Sequence, residues 1–215
     1  MVPITPKRTI LIVWLLENVN QEISVLQARN EARALNYHAT YNALSDLAAA
    51  GYLRRNESRR YQIINAPALV RRIAYTLPFR QKPVIGFFLG DDMIAKMRRL
   101  SGLDDSVVYT LFAAAELLSP YVETKNVHAY VPLKSIPILQ ERLLQGGGRR
   151  AQIGEADTFL LPTGDDFLLR FSRKKGEFRI APMAVLLADL ESSGGLAQEQ
   201  AGRIMKEWLS SSKQQ

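Results

Sequence analysis

The stretch "ALNYHATYNALSDLAAAGYLRR", residues 34–55, decides how the N-terminal third is read. Residues 36–38 form a polar break, and the residues after it fit a helix over 39–50. Gly51 is placed to close that helix in the left-handed conformation, where a residue without Cβ meets no penalty. Thr40, Ala43, Leu44 and Leu47 recur at helical spacing and define a face turned to a core. His38, Tyr41, Asn42 and Ser45, spaced i, i+3, i+4, i+7, fall on the opposite face. That face holds donors, acceptors and an aromatic ring but no acid, and such side chains reach base edges and phosphates from a helix in a major groove. A plain surface helix that ends in charge is the competing reading. The flanking sequence separates the two.

Downstream, Tyr52-Leu53-Arg54-Arg55, a turn at Asn56-Glu57-Ser58 and Arg59-Arg60-Tyr61-Gln62-Ile63-Ile64 read as a short hairpin with four arginines at its tip. Upstream, Thr5-Pro6 is a helix start, with threonine as N-cap and proline where its missing N–H is harmless. The apolar run 10–16 carries that helix to about Asn18. Ser24-Val25-Leu26-Gln27 matches a capping box, and a second helix is expected to about Leu35, with Leu26, Ala32 and Leu35 inward. "NALSDLAAAGYLRR" resembles the leucine, Ala-Gly and first-strand pattern of winged helix-turn-helix modules. The resemblance implies a DNA-binding domain over residues 1–66, with Arg54, Arg55, Arg59 and Arg60 on phosphate and minor groove, where a guanidinium fork fits. It names a module and not a job. His38 reads as a polar turn residue rather than a proton shuttle.

Charge agrees with that expectation. The chain of 215 residues has a net charge of +7, and residues 1–80 hold 11 Lys+Arg against 5 Asp+Glu, so the excess lies at the N-terminal end. Such asymmetry points to a polyanionic partner. Apolar residues make up 47% and charged ones 23%, the balance of a globular protein, with only the tail 210–215 reading as disordered. There is no cysteine, so thiolate chemistry is excluded, and with His38 and His128 the only histidines no metal or cofactor is expected. The run 10–16 is far short of the roughly 17–25 residues of a membrane span, and the start "MVPITPKRT" lacks the order of a cleavable leader. A cytoplasmic protein without membrane contact is expected.

Residues 67–83 read as a linking helix with Leu69, Val70, Ile73 and Leu77, followed by a hinge at "FRQKP". Residues 84–215 alternate: helices near 91–100, 110–118, 136–144, 182–190 and 197–209, and strands near 127–131, 158–161, 167–171 and 178–180. The expected class is α+β, an N-terminal winged helix-turn-helix plus a C-terminal mixed α/β domain. "VVYTLFAAAELLSPYVETKNVHAYVP", followed by "FRIAPMAVLLADLESSGGLAQEQAGRIMKEW", resembles the C-terminal half of AbiEi-type antitoxins of type IV toxin–antitoxin systems. The order of elements carries much of the likeness, which spans nearly the whole chain. It implies a repressor that binds inverted repeats in its own promoter as double-stranded DNA. It also implies a functional partner, a nucleotidyltransferase-like toxin that is opposed without a stable complex. A ligand-responsive winged-helix regulator with a C-terminal sensor domain is the alternative.

No catalytic residues are expected. Asp104-Asp105 with Glu123-Thr124-Lys125 superficially matches the acids and lysine of metal-dependent nucleases, yet that set belongs on strands and these positions read as a helix start and a loop. Gly146-Gly147-Gly148-Arg149-Arg150 lacks the strand, Lys-Ser/Thr and helix of a P-loop. The basic run Arg170, Arg173, Lys174, Lys175 and Arg179 reads first as a solvated hairpin tip. Its functional reading is a second DNA contact, centred on Arg173, Lys174 and Lys175.

Overall fold

The computed structural model describes residues 5–164 and 166–211. Residues 1–4, part of the stretch read for a leader, and residues 212–215, most of the tail read as disordered, lie outside the described residues. Ser210 and Ser211 belong to the last helix.

Three helices open the chain, and side chains fix each start. In α1 (Pro6–Glu17) the Arg8 N–H donates to Thr5 Oγ1. In α2 (Val25–Ala32) the Gln27 N–H donates to Ser24 Oγ at 3.1 Å. In α3 (Tyr37–Ala49) the Ala39 N–H donates to Asn36 Oδ1 at 2.8 Å. Each bond satisfies a donor that the helix itself leaves open. Asn36 is thus a cap, and Tyr37 and His38, expected in a break, form the first turn of α3. The expected inward face of α2 needs correction. Ala28 and Ala32, four apart, are buried; Leu35 lies past the helix end, half-buried against the core; Leu26 is 57% exposed. Arg33 ends α2 in the left-handed region at φ 50°, one turn earlier than the sequence suggests.

A two-stranded hairpin follows, β1 (Leu53–Arg55) against β2 (Tyr61–Ile63), in the register Leu53↔Ile63 to Arg55↔Tyr61. Helix α4 (Ala66–Thr76) starts on Asn65, whose Oδ1 accepts from the Ala68 N–H. Leu69, Val70 and Ile73 are buried on it; Leu77, counted with them from the sequence, caps the helix and is 45% exposed. The "FRQKP" segment contains a 3-10 turn, Phe79–Gln81, tied to a distant helix: the Phe79 N–H donates to Ser192 Oγ and Arg80 to the Ser193 carbonyl.

The remainder forms an α+β unit around one mixed sheet. In chain order it comprises β3 (Ile85–Phe88), α5 (Met93–Leu103), β4 (Val108–Thr110), α6 (Leu111–Leu118), β5 (Val127–Pro132), α7 (Ile136–Gln145), β6 (Arg149–Arg150), β7 (Thr158–Thr163), α8 (Asp166–Arg170), β8 (Arg173–Lys175), β9 (Phe178–Ile180), α9 (Met183–Ser193) and α10 (Leu196–Ser211). The strands lie in the order β6-β3-β7-β5-β4-β9-β8. The central pair β5 and β7 is parallel from Val127↔Thr158 to Pro132↔Thr163, with α7 inside the long connection that parallel strands require. Residues 167–171, expected as a strand, fall largely in helix α8. The short strands β3, β4, β6 and β8 were not anticipated, being too brief for alternation to register.

Helix α9 lies at the centre. "MAVLLADL" is apolar all round except for one acid, and Met183 through Leu190 are all buried, as a helix without a polar face must be. It packs on α1 and α4 from the N-terminal part and on α6, α10 and β4 from the C-terminal part. A single apolar cluster runs from Leu11 to Trp208.

Candidate nucleic-acid interface

Helix α3 is held by its inner face: Thr40, Ala43, Leu44 and Leu47 are all buried. Its end is fixed by two backbone bonds, Gly51 N–H to Ala48 O and Tyr52 N–H to Leu47 O, with Gly51 at φ +78°. That is the Schellman arrangement, in which the glycine turns the chain out of the helix. Here it points the backbone into β1. The outer face then follows from the period: His38 and Asn42 are exposed, and Tyr41 and Ser45 are partly covered. Tyr37, one turn before Tyr41, is 55% exposed and adjoins this face. It was missed because Asn36 was read as part of a break, although asparagine is a favoured N-cap residue.

The hairpin is stiffened beside its turn. Ile23 pairs with Tyr61 through two bonds of 2.8 Å, which gives the hairpin a one-residue third strand. At the tip, Asn56 N–H donates to Arg60 O, its Oδ1 accepts from the Arg60 N–H, and Arg59 takes a positive φ of 57°. Arg54, Arg55, Arg59 and Arg60 are all exposed. Arg54 is braced by Gln62 Oε1 at 3.0 Å, and Arg60 reaches toward the Glu22 carbonyl.

Helix and hairpin form one surface. The Arg55 guanidinium lies 5.9 Å from the Tyr41 ring centroid and 5.6 Å from that of Tyr61, within reach of the ring quadrupole. Ser45 Oγ and the buried Tyr61 hydroxyl are 3.2 Å apart. Ser45 therefore joins helix to hairpin, Tyr41 lies beside Arg55, and His38 and Asn42 are exposed on the same helix face. The one acid within α3, Asp46, is engaged by Arg8 at 2.9 Å.

The second basic run is split. Arg173 holds Glu17 of α1 through Nε at 2.9 Å and Nη2 at 2.5 Å, and Arg170 donates to the Ala32 carbonyl at the end of α2. These two side chains tie the C-terminal unit to the N-terminal helices. Lys174 and Lys175 on β8 are exposed, while Arg173, itself partly exposed, is paired with Glu17. The other motifs disperse. Asp104 caps α5 and accepts from Ser106, and Arg99 donates to the carbonyls of Leu143 in α7 and Gly146 in the glycine loop. Among the described residues no three His, Asp or Glu side chains gather as a metal site.

A further polar cluster escaped the sequence reading. Asp189, 1% exposed on α9, accepts from Thr110 Oγ1 and the Tyr130 hydroxyl, each at 2.7 Å, and from Lys82 Nζ. Lys82 Nζ also contacts the Tyr130 hydroxyl. Burial, with the Asp189 charge, pushes the Tyr130 phenol well above its ordinary value, so it stays a neutral donor. The signal was a lone acid inside an apolar helix, which needs a buried cation. The cluster lines a cavity of about 330 Å³.

Comparison of the chain with known protein families, with curated proteins and with solved structures found no match.

Proposed function

We propose that this protein binds double-stranded DNA sequence-specifically through an N-terminal winged helix-turn-helix. In this reading α3 is the recognition helix and the β1–β2 hairpin is the wing. One observation carries it: the Arg55 guanidinium of the hairpin lies over the Tyr41 ring of α3, so an acid-free polar helix face and four exposed arginines adjoin. His38, Tyr41 and Asn42 lie nearest the base edges. Arg54, Arg55, Arg59 and Arg60 take phosphates and the minor groove, and Ser45 acts mainly by fixing the wing to the helix.

The biological role we propose is that of a cytoplasmic AbiEi-type antitoxin that represses its own operon by binding inverted repeats and opposes a nucleotidyltransferase-like toxin without a stable complex. The order of elements along the chain supports this. No described helix is long and apolar enough to cross a membrane. Lys174 and Lys175 extend the phosphate contact in this scheme, with Arg173 serving as their anchor on α1. The test is a gel shift with DNA from upstream of the gene against a scrambled duplex of equal length. Preference for the upstream DNA is expected; equal affinity removes the specificity claim. An adjacent reading frame without nucleotidyltransferase motifs removes the antitoxin role. The ligand-responsive alternative has an observation of its own, the cavity beside Asp189.

A further inference from the structure

The cavity lies where the two parts of the chain meet. Thr9 of α1 and Ile73, Thr76 and Leu77 at the end of α4 form one wall; Leu161 of β7 and Val185 of α9 belong to the other. Leu77, Gln81 and Pro83 are exposed and mark its mouth, while Ile73, Leu161 and Asp189 are buried and mark its floor. At about 330 Å³ it falls at the small end of pockets that hold small molecules, roughly 300–1,000 Å³. Its lining is chiefly apolar, with the Lys82–Asp189–Tyr130 group as the charged and hydrogen-bonding end.

That group selects the chemistry of an occupant. Asp189 already accepts from Thr110, Tyr130 and Lys82, so it asks for no further donor. Lys82 has three N–H donors and spends them on Asp189 and the Tyr130 hydroxyl, which leaves one for an acceptor. The two charges cancel, and the other lining residues among those described are uncharged. A carboxylate would bring uncompensated negative charge beside Asp189, at a desolvation cost that a neutral acceptor avoids. We propose that this cavity binds an uncharged, mostly apolar small molecule whose carbonyl-type oxygen accepts from Lys82. Because α1 and α4 wall one side, the occupant also changes how the N-terminal helices seat on the sheet. The regulatory half of this inference rests on the DNA-binding reading above.

The probe is acetophenone, with benzoate as its charged counterpart, titrated into the full-length chain and followed by methyl NMR. Saturable shifts at Ile73, Leu161 and Val185 are expected, with fragment affinity in the millimolar range, about −4 kcal/mol. Benzoate should bind about tenfold more weakly or worse. Lys82→Met should abolish the shifts, but it leaves Asp189 unpaired and risks the fold. Leu77→Trp at the exposed mouth therefore serves as the second variant, and its apo spectrum reports folding. Absence of saturable shifts in the native chain overturns the site. Shifts that survive Leu77→Trp place the fragment elsewhere and also overturn it, and equal binding of benzoate overturns the neutral chemistry. Acetophenone at saturation should alter affinity for the upstream DNA severalfold. Unchanged DNA affinity overturns the regulatory half alone, and a chain that binds acetophenone but no DNA overturns the DNA reading and leaves the site standing.

Discussion

At the scale of single residues, position on the interface decides what each side chain contributes. Arg59 and Arg60 lie at the exposed hairpin tip, and under the proposed DNA binding their guanidinium groups meet phosphate oxygens whatever the sequence. Changing both to Ala should weaken binding to all duplexes and lower the salt slope by about two charge units; a slope that stays the same puts the tip off the DNA. Asn42 is exposed in the middle of α3 and has the paired donor and acceptor that read adenine. Asn42→Ala should cost roughly 1–3 kcal/mol of discrimination between specific and scrambled DNA, measured by competition. Loss that is equal for both duplexes would mean that Asn42 touches backbone only. The exposure of Asn42 was legible because a helix sorts its faces by a fixed period. Tyr61 was not: its hydroxyl meets Ser45 and its ring meets Arg55, pairings set by how the hairpin folds onto α3. Asp189 was equally hidden, since its partners Lys82, Tyr130 and Thr110 come from three separate elements.

At the scale of elements, two glycines separate backbone conformation from packing. Gly51 has φ +78° and a Cβ there would meet nothing within 4 Å. Gly51→Ala should therefore cost about 1 kcal/mol, the penalty of left-handed backbone alone, with the hairpin still formed. Gly86 in β3 has ordinary backbone, but a Cβ would come within 2.5 Å of the Ala151 carbonyl oxygen and 2.9 Å of Ala156 Cβ. Gly86→Ala should destabilise by more than Gly51→Ala, because backbone must shift to admit the methyl. Chemical denaturation compares them, and the reverse order would contradict the packing at β3. Gly51 was readable from its place after a periodic run. The role of Gly86 was not, since its contacts arise some 65 residues away in the chain. The same distinction explains the strands. Residues 127–131 and 178–180 announce themselves by β-branched and aromatic content, whereas Arg149–Arg150 and Arg173–Lys175 are strands only because β3 and β9 pair with them. The run 167–171 is apolar enough for either state, and its length cannot arbitrate.

At the scale of the whole molecule, the N-terminal helices and the sheet share one core through α9, and the Glu17–Arg173 pair bolts α1 to β8. Unfolding in denaturant should therefore be a single transition when followed by the fluorescence of Trp14 and Trp208 and by far-UV circular dichroism alike. Two separated transitions would show that the units fold independently.

The turn that joins those units also carries a pH dependence. His128 on β5 is stacked on Phe159, with centroids 4.5 Å apart, and Phe79 of the joining turn meets its edge at 5.6 Å. Its Nδ1 is buried without a partner. Burial lowers its pKa from 6.5 to about 4, against the opposing pull of the Asp189 charge. The folded protein therefore keeps this ring neutral through a range in which the unfolded chain protonates it. Stability from this residue is complete above about pH 6.5 and falls as the pH drops, until the folded state also protonates near pH 4. At pH 5 the loss should be about 2 kcal/mol relative to pH 7.5. Carboxylates add their own pH dependence, so the difference between native chain and His128→Phe isolates the effect. Phenylalanine keeps the stack and cannot titrate. The native chain should lose about 2 kcal/mol more than His128→Phe between pH 7.5 and 5, measured by denaturant titration. Equal losses would mean that water reaches His128 when Phe79 moves, and that the joining turn opens in the folded protein.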